Sequence, residues 1–128
     1  MLARRDVVDY ALQRRAALYD LRTGRRSAWD LCDAHPHLKL AARHYGQPTS
    51  AACPVCKDLG MTEVHFVYGE ELRTVAGQAK SPGELARMSD RYERFAVYAV
   101  EVCTECGWNH LVRSFTLGNR GLSTAAEG

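Results

Sequence analysis

The sequence predicts an α+β fold in which a short helical region leads into a small antiparallel sheet of three strands. Three observations carry this expectation. Apolar residues recur at helical spacing as far as Tyr45, and beyond residue 61 they alternate with the two-residue period of strands. Breakers at Gly24, Pro36 and Gly46 divide the first part into short pieces. Two C-x-x-C pairs, CPVC (Cys53, Cys56) and CTEC (Cys103, Cys106), then bracket the strand-like part.

The first helix is expected from Arg5 to about Arg22, because Val8, Ala11, Leu12, Leu18 and Tyr19 fall on one face. Asp6 and Asp9 suit its positive end, and Gly24 follows as a stop. Ser27 starts a second helix, with Asp30 in the position of a capping-box acid. Pro36 lacks an N–H and interrupts it. Leu38, Ala41, Ala42 and Tyr45 mark a third helix from His37 to Tyr45. Residues 1–46 therefore form a helical region, and GQPTSAA (46–52) reads as a linker. Thr62–Tyr68, Phe95–Val102 and Trp108–Leu117 are the three predicted strands. Between the first two, SPGE places Ser81 at a cap, Pro82 at the first helical position and Glu84 at the third. That predicts a short helix within an otherwise mobile insertion, residues 69–94. Residues 53–118 make up the strand-rich unit, and 119–128 are expected to be a disordered tail.

The cysteines carry the chemistry. Two C-x-x-C turns supply four thiolates, the ligand set of a closed tetrahedral zinc site. Pro54 stiffens the first turn, and Gly107 follows the second, where a positive φ is cheap only for glycine. Such turns are the knuckles of a zinc ribbon. The pairs are 46 residues apart, against the 15–20 of a compact site. Closing the longer loop costs only about 0.8 kcal/mol more, since each doubling costs ~0.6 kcal/mol. Structural zinc returns roughly 10–16 kcal/mol in small peptides, so one shared Zn²⁺ on Cys53, Cys56, Cys103 and Cys106 is the expectation. A thioredoxin-type dithiol would sit at a helix start in a βαβ unit, whereas CTEC lies between two strands. A rubredoxin-like iron site is the other alternative. Four thiolates leave no open position for a metal-bound water, which argues against a catalytic zinc.

Other candidates are weaker. Cys32 lies near His35 and His37 in CDAHPH, and reads as a small buried thiol beside surface imidazoles rather than as a second metal site. His44 and His65 read as surface or partly satisfied residues, and His110 as a hydrogen-bonding neighbour of the second knuckle. Trp108 is expected to pack over a small core. The alternative has it stacking on nucleobases with Tyr92, Tyr98, Arg113 and Phe115.

CDAHPHLKLAARH, CPVCK and VEVCTECGWNHLVRS together resemble an uncharacterised domain-of-unknown-function family of small actinobacterial proteins whose C-terminal half is zinc-ribbon-like. The likeness covers roughly Ser27 to Gly118. It implies a zinc-binding cytosolic protein and brings no activity with it.

Net charge is +2, but residues 1–46 hold nine Lys+Arg against five Asp+Glu. Arg4, Arg15, Arg22 and Arg26 would form a stripe on a continuous helix, a continuation that Gly24 opposes. No apolar run approaches a membrane span, and MLARRDVVDYALQRR lacks the apolar core of a secretory signal. A cytoplasmic location with no membrane partner is therefore expected. No phosphate loop, carboxylate pair or nucleophile–base set stands out, so the expectation is a non-enzymatic accessory protein. It would dock on a larger protein or ribonucleoprotein assembly, RNA polymerase or the ribosome, through Trp108, Asn109, His110, Arg113, Arg15 and Arg22. The alternatives are direct nucleic-acid binding and, behind it, thiol oxidoreduction; oligomeric state is left open.

Overall fold

The computed structural model describes residues 3–120. The chain runs β1 (Arg5–Asp9), α1 (Ala11–Arg22), α2 (Ala28–Leu31), α3 (Pro36–Tyr45), β2 (Gln47–Pro48) and β3 (Met61–Tyr68). A 3₁₀ segment (Glu70–Val75), β4 (Ala79–Lys80), α4 (Pro82–Arg91), β5 (Phe95–Cys103) and β6 (Asn109–Leu117) complete it. The six strands form one antiparallel sheet ordered β1-β6-β5-β3-β2, with β4 also on β3.

This overturns the predicted fold of N-terminal helices followed by a three-stranded ribbon. The three predicted strands exist as β3, β5 and β6, but they are the centre of a wider sheet. Arg5–Asp9 is a strand rather than the start of a helix, and it pairs with β6 through Val8↔Ser114 and Asp9↔Arg113. The helix starts only at Ala11, where the Asp9 carboxylate accepts from the Ala11 N–H at 2.6 Å. The supposed linker contributes β2, which occupies the β3 edge at Gln47↔Glu63 and Pro48↔Thr62. β4 takes the same edge one step further along, at His65↔Lys80 and Phe66↔Ala79. Between them the two short strands cover donors and acceptors that an edge leaves bare.

Both predicted capping boxes form. Ser27 and Asp30 close one at the start of α2, and Ser81 and Glu84 the other at α4. The 69–94 insertion is packed rather than loose. Leu72 of the 3₁₀ segment and Leu85 and Met88 of α4 bury against Val67, Phe95, Val97, Phe115 and Leu117. The opposite sheet face carries Val64 and Val102 beneath Ala42 of α3, flanked by Leu38 and Ala41. Of the predicted tail, the Asn119 N–H donates to the Tyr92 carbonyl at 2.9 Å; residues 121–128 lie outside the described residues. Among the described residues no helix is long and apolar enough to cross a membrane.

Because α4 closes a core, Leu85→Ala should cost about 3 kcal/mol through the cavity it leaves. Denaturant midpoints check this. A change under about 0.5 kcal/mol would mean that the insertion is peripheral.

Candidate metal centre

β3 and β5 pair in register down to Met61↔Cys103, which sets the first cysteine turn, preceding β3, opposite the hairpin tip between β5 and β6. Each turn is closed by the same bonds. The Lys57 N–H donates to the Cys53 carbonyl and the Gly107 N–H to the Cys103 carbonyl, both at 3.0 Å. The N–H groups of Val55 and Trp108 point at the sulfurs of Cys53 and Cys106, both at 3.4 Å. Both closing residues take positive φ, 68° at Lys57 and 90° at Gly107. At Gly107 a side chain is excluded twice, since an added Cβ would also lie 2.9 Å from the Cys32 carbonyl oxygen.

The ligand atoms of Cys53, Cys56, Cys103 and Cys106 all lie within 4.8 Å of one another. Cys53–Cys106 and Cys56–Cys103 are 3.6 Å apart, sulfur to sulfur. A zinc tetrathiolate with bonds of about 2.3 Å has tetrahedral edges of about 3.8 Å, so the cluster is of the right size for an ion at its centre. Burial pushes the thiols of Cys53 and Cys106 up to about 12, whereas the Asp58 backbone N–H pulls the exposed Cys56 thiol down. Without a cation, the thiols of Cys53 and Cys106 thus stay protonated at neutral pH. A divalent ion reverses that preference by coordinating the thiolates.

The fifth cysteine, at the end of α2, stands outside the tetrad but touches it. Cys32 Sγ lies 3.3 Å from Cys106 Sγ. The connection after it is hooked to the second knuckle, with the Ala34 N–H donating to the Gly107 carbonyl at 3.0 Å. His35 and His37 turn away to solvent. Their rings stack at 4.9 Å, and the His35 ring caps α3 by accepting from the His37 N–H. Sequence reasoning had no means to bring Cys32 to the tetrad, because the contact spans 74 positions.

The other predicted site residues divide into two groups. Trp108 is 1% exposed, packed with Ala17, Leu31, Met61 and the cysteines. Its indole N–H donates to Glu101 at 2.6 Å, and Arg14 meets the same carboxylate at 2.8 Å. Stacking a nucleobase on this ring would first require emptying the core. Asn109 donates to Asp33 at 3.0 Å, His110 stacks on Trp108 with centroids 5.8 Å apart, and Arg113 pairs with Glu63. These four residues thus bind the knuckle to the helical region and to β3. Arg15 and Arg22, by contrast, are exposed on α1. Beside them stand exposed Leu12 and Tyr19, and Trp29 on α2 is 88% exposed. Trp29 was missed as a surface feature, although its place two residues after the Ser27 cap already put it on a one-turn helix too short to bury it.

A family described as a family of unknown function (DUF5318) matches residues 1–127, and the chain belongs to it. Uncharacterized proteins Mb0050 of Mycobacterium bovis and Rv0049 of Mycobacterium tuberculosis are each 43% identical to it over 111 residues. The match spans 87% of this chain and 81% of each relative. The family resemblance drawn from the cysteine segments is therefore right, and it extends across the N-terminal region as well. No solved structure matches significantly.

Two substitutions separate the tetrad from its neighbour. Cys106→Ser should lose the stoichiometric metal and at least ~3 kcal/mol of folding stability. Cys32→Ser should keep the metal and change stability by no more than about 1 kcal/mol. Metal content and thermal melts read both; metal loss in the Cys32 variant would make it a ligand.

Proposed function

We propose that this family member is a non-enzymatic accessory protein whose fold depends on one structural Zn²⁺ held by Cys53, Cys56, Cys103 and Cys106. The observation that carries the metal reading is the convergence of four sulfurs from two separate turns at tetrahedral spacing. An all-sulfur donor set favours zinc over hard cations such as magnesium or calcium. With four protein ligands there is no vacant position at which an ion would activate water, so the role is to hold the two turns together.

In this reading the protein docks on an acidic protein surface of a larger assembly, RNA polymerase or the ribosome, from the cytoplasm. What supports docking is the outer face of α1. Leu12, Arg15, Tyr19 and Arg22 follow one another at spacings of three and four, and Arg22 lies 5.9 Å over the Tyr19 ring. Large apolar groups and guanidinium groups thus share the exposed face of α1, and Trp29 on α2 is a further exposed aromatic ring. Aromatic and arginine side chains of this kind anchor protein interfaces. Direct nucleic-acid binding is disfavoured by the burial of Trp108, the residue that would have served as its stacking platform.

The test uses purified protein and a tagged pull-down. Metal analysis should return one zinc per chain, and a strong chelator should lower the melting temperature steeply. The wild-type chain should retain polymerase or ribosomal proteins after nuclease treatment, and a Leu12→Ala/Tyr19→Ala/Trp29→Ala variant should release them while keeping its zinc. Loss of the partner under nuclease would replace docking by nucleic-acid binding.

A further inference from the structure

The tetrad accounts for four of the five cysteines, and the fifth is held against it. Cys32 caps the C-terminal end of α2, its N–H donating to the Ala28 carbonyl at 2.8 Å. Its thiol donates to the Cys106 sulfur at 3.3 Å, a closer contact than either cross-turn pair of the tetrad at 3.6 Å. The backbones on both sides keep the two sulfurs there. Gly107 packs on the Cys32 carbonyl, where an added Cβ would be 2.9 Å from the oxygen, and its own carbonyl accepts from the Ala34 N–H at 3.0 Å. The stretch from Cys32 to Ala34 thus meets the second turn through sulfur, carbonyl and N–H alike.

The five thiols differ in reach and in freedom. Cys53 and Cys103 are fully buried, whereas Cys32 and Cys106 keep part of their surface in solvent and Cys56 is exposed. Of the four ligands, an oxidant arriving from solvent therefore meets Cys56 and Cys106. The cross-turn neighbour of Cys56 is Cys103, which is buried and belongs to the ligand set. Cys106 instead has Cys32 against it, a sulfur outside that set. Such a thiol can attack an oxidised neighbour without giving up a metal bond, which is what a resolving cysteine does. The two sulfurs have only about 1.2 Å to close before they reach a disulfide bond of ~2.05 Å.

We propose that Cys32 and Cys106 form a peroxide-operated disulfide that takes Cys106 off the metal, an inference that rests on the zinc tetrad proposed for this chain. In the first step the Cys106 thiolate attacks one oxygen of hydrogen peroxide. The O–O bond breaks, a sulfenic acid forms on Cys106, and hydroxide leaves. In the second step the Cys32 sulfur attacks the Cys106 sulfur. The S–O bond breaks, the S–S bond forms, and the Cys32 proton departs with the oxygen as water. The two sulfurs together lose two electrons, and peroxide gains them. Cys106 thereby ceases to be a ligand, and the remaining three thiolates, with one position open, hold the ion less tightly. The new bond spans 74 positions and ties the end of α2 to the second turn, so that turn stays anchored when its metal bond is lost. A thiol reductant reverses the disulfide. A sulfenic acid on Cys106 without Cys32 beside it goes on to sulfinic acid, which such reductants do not return.

The test takes the zinc-loaded full chain, counts its metal, adds a small excess of hydrogen peroxide, and maps disulfides by mass spectrometry of unreduced peptides. The dominant bond should be Cys32–Cys106, formed together with release of zinc to a colorimetric chelator. Dithiothreitol and added zinc should then restore the starting state. In Cys32→Ser the zinc recovered after the same cycle should fall by about threefold or more, with Cys106 found as sulfinic acid. Three results with a loaded chain would each overturn the inference alone: a main disulfide within the tetrad, a Cys32 still alkylated by iodoacetamide when the oxidised chain is denatured, or a Cys32→Ser variant that recovers as fully as wild type. A chain that carries no zinc before peroxide is added would overturn the tetrad and this inference together.

Discussion

Four sulfur atoms brought to one point at the end of the sheet are the constraint on which the rest of this molecule depends. The β3–β5 register ends at Met61↔Cys103, so whatever joins the two cysteine turns also fixes that register at its end. A one-residue slip would turn Met61 and Val67 out of their core and pull Cys103 away from the first turn. A net stability of only about 5–15 kcal/mol is usual for a domain, and structural zinc contributes on that same scale. The surrounding apolar cluster is small and is built partly from the cysteines themselves, with Trp108 as its largest member.

The knuckle is also where the N-terminal region is attached. Arg14 of α1 and the Trp108 indole share the Glu101 carboxylate. Cys32 and Ala34 contact Cys106 and Gly107, and Asp33 receives Asn109. These contacts join α1 and the connection between α2 and α3 to the residues around the second cysteine turn, so ordering that turn also positions the helical region. Of the residues expected to face a partner, Trp108, Asn109, His110 and Arg113 are thus consumed in holding the molecule together, whereas Arg15 and Arg22 are exposed. The free face is instead the outer side of α1 and α2, where guanidinium and aromatic groups reach solvent.

Local signals in the sequence were dependable, and long-range ones were silent. The Ser27–Asp30 and Ser81–Glu84 boxes involve residues three apart, so their hydrogen bonds can be read directly from spacing. The cores of β3, β5 and β6 show in their alternation, and the C-x-x-C turns in their own spelling. β1 does not show, because it is a largely exposed edge strand held by backbone pairing to residues more than a hundred positions away. Its Val8 instead extended the helical pattern of α1. β2 and β4 have two residues each, too few to hold a period. His65 was read as a surface or partly satisfied residue; its shared parity with Met61 and Val67 is the signal that could have placed it, with Glu63, on the inward face where it is 7% exposed.

The central claim is that one ion is coordinated by four sulfurs and nothing else. X-ray absorption at the zinc edge of the purified protein tests it most directly, because bond length distinguishes sulfur from nitrogen and oxygen. The account predicts a single shell of four sulfurs at about 2.3 Å, unchanged when Cys32 is replaced by serine. A shell containing nitrogen or oxygen at about 2.0–2.1 Å, or fewer than four sulfurs, would contradict it.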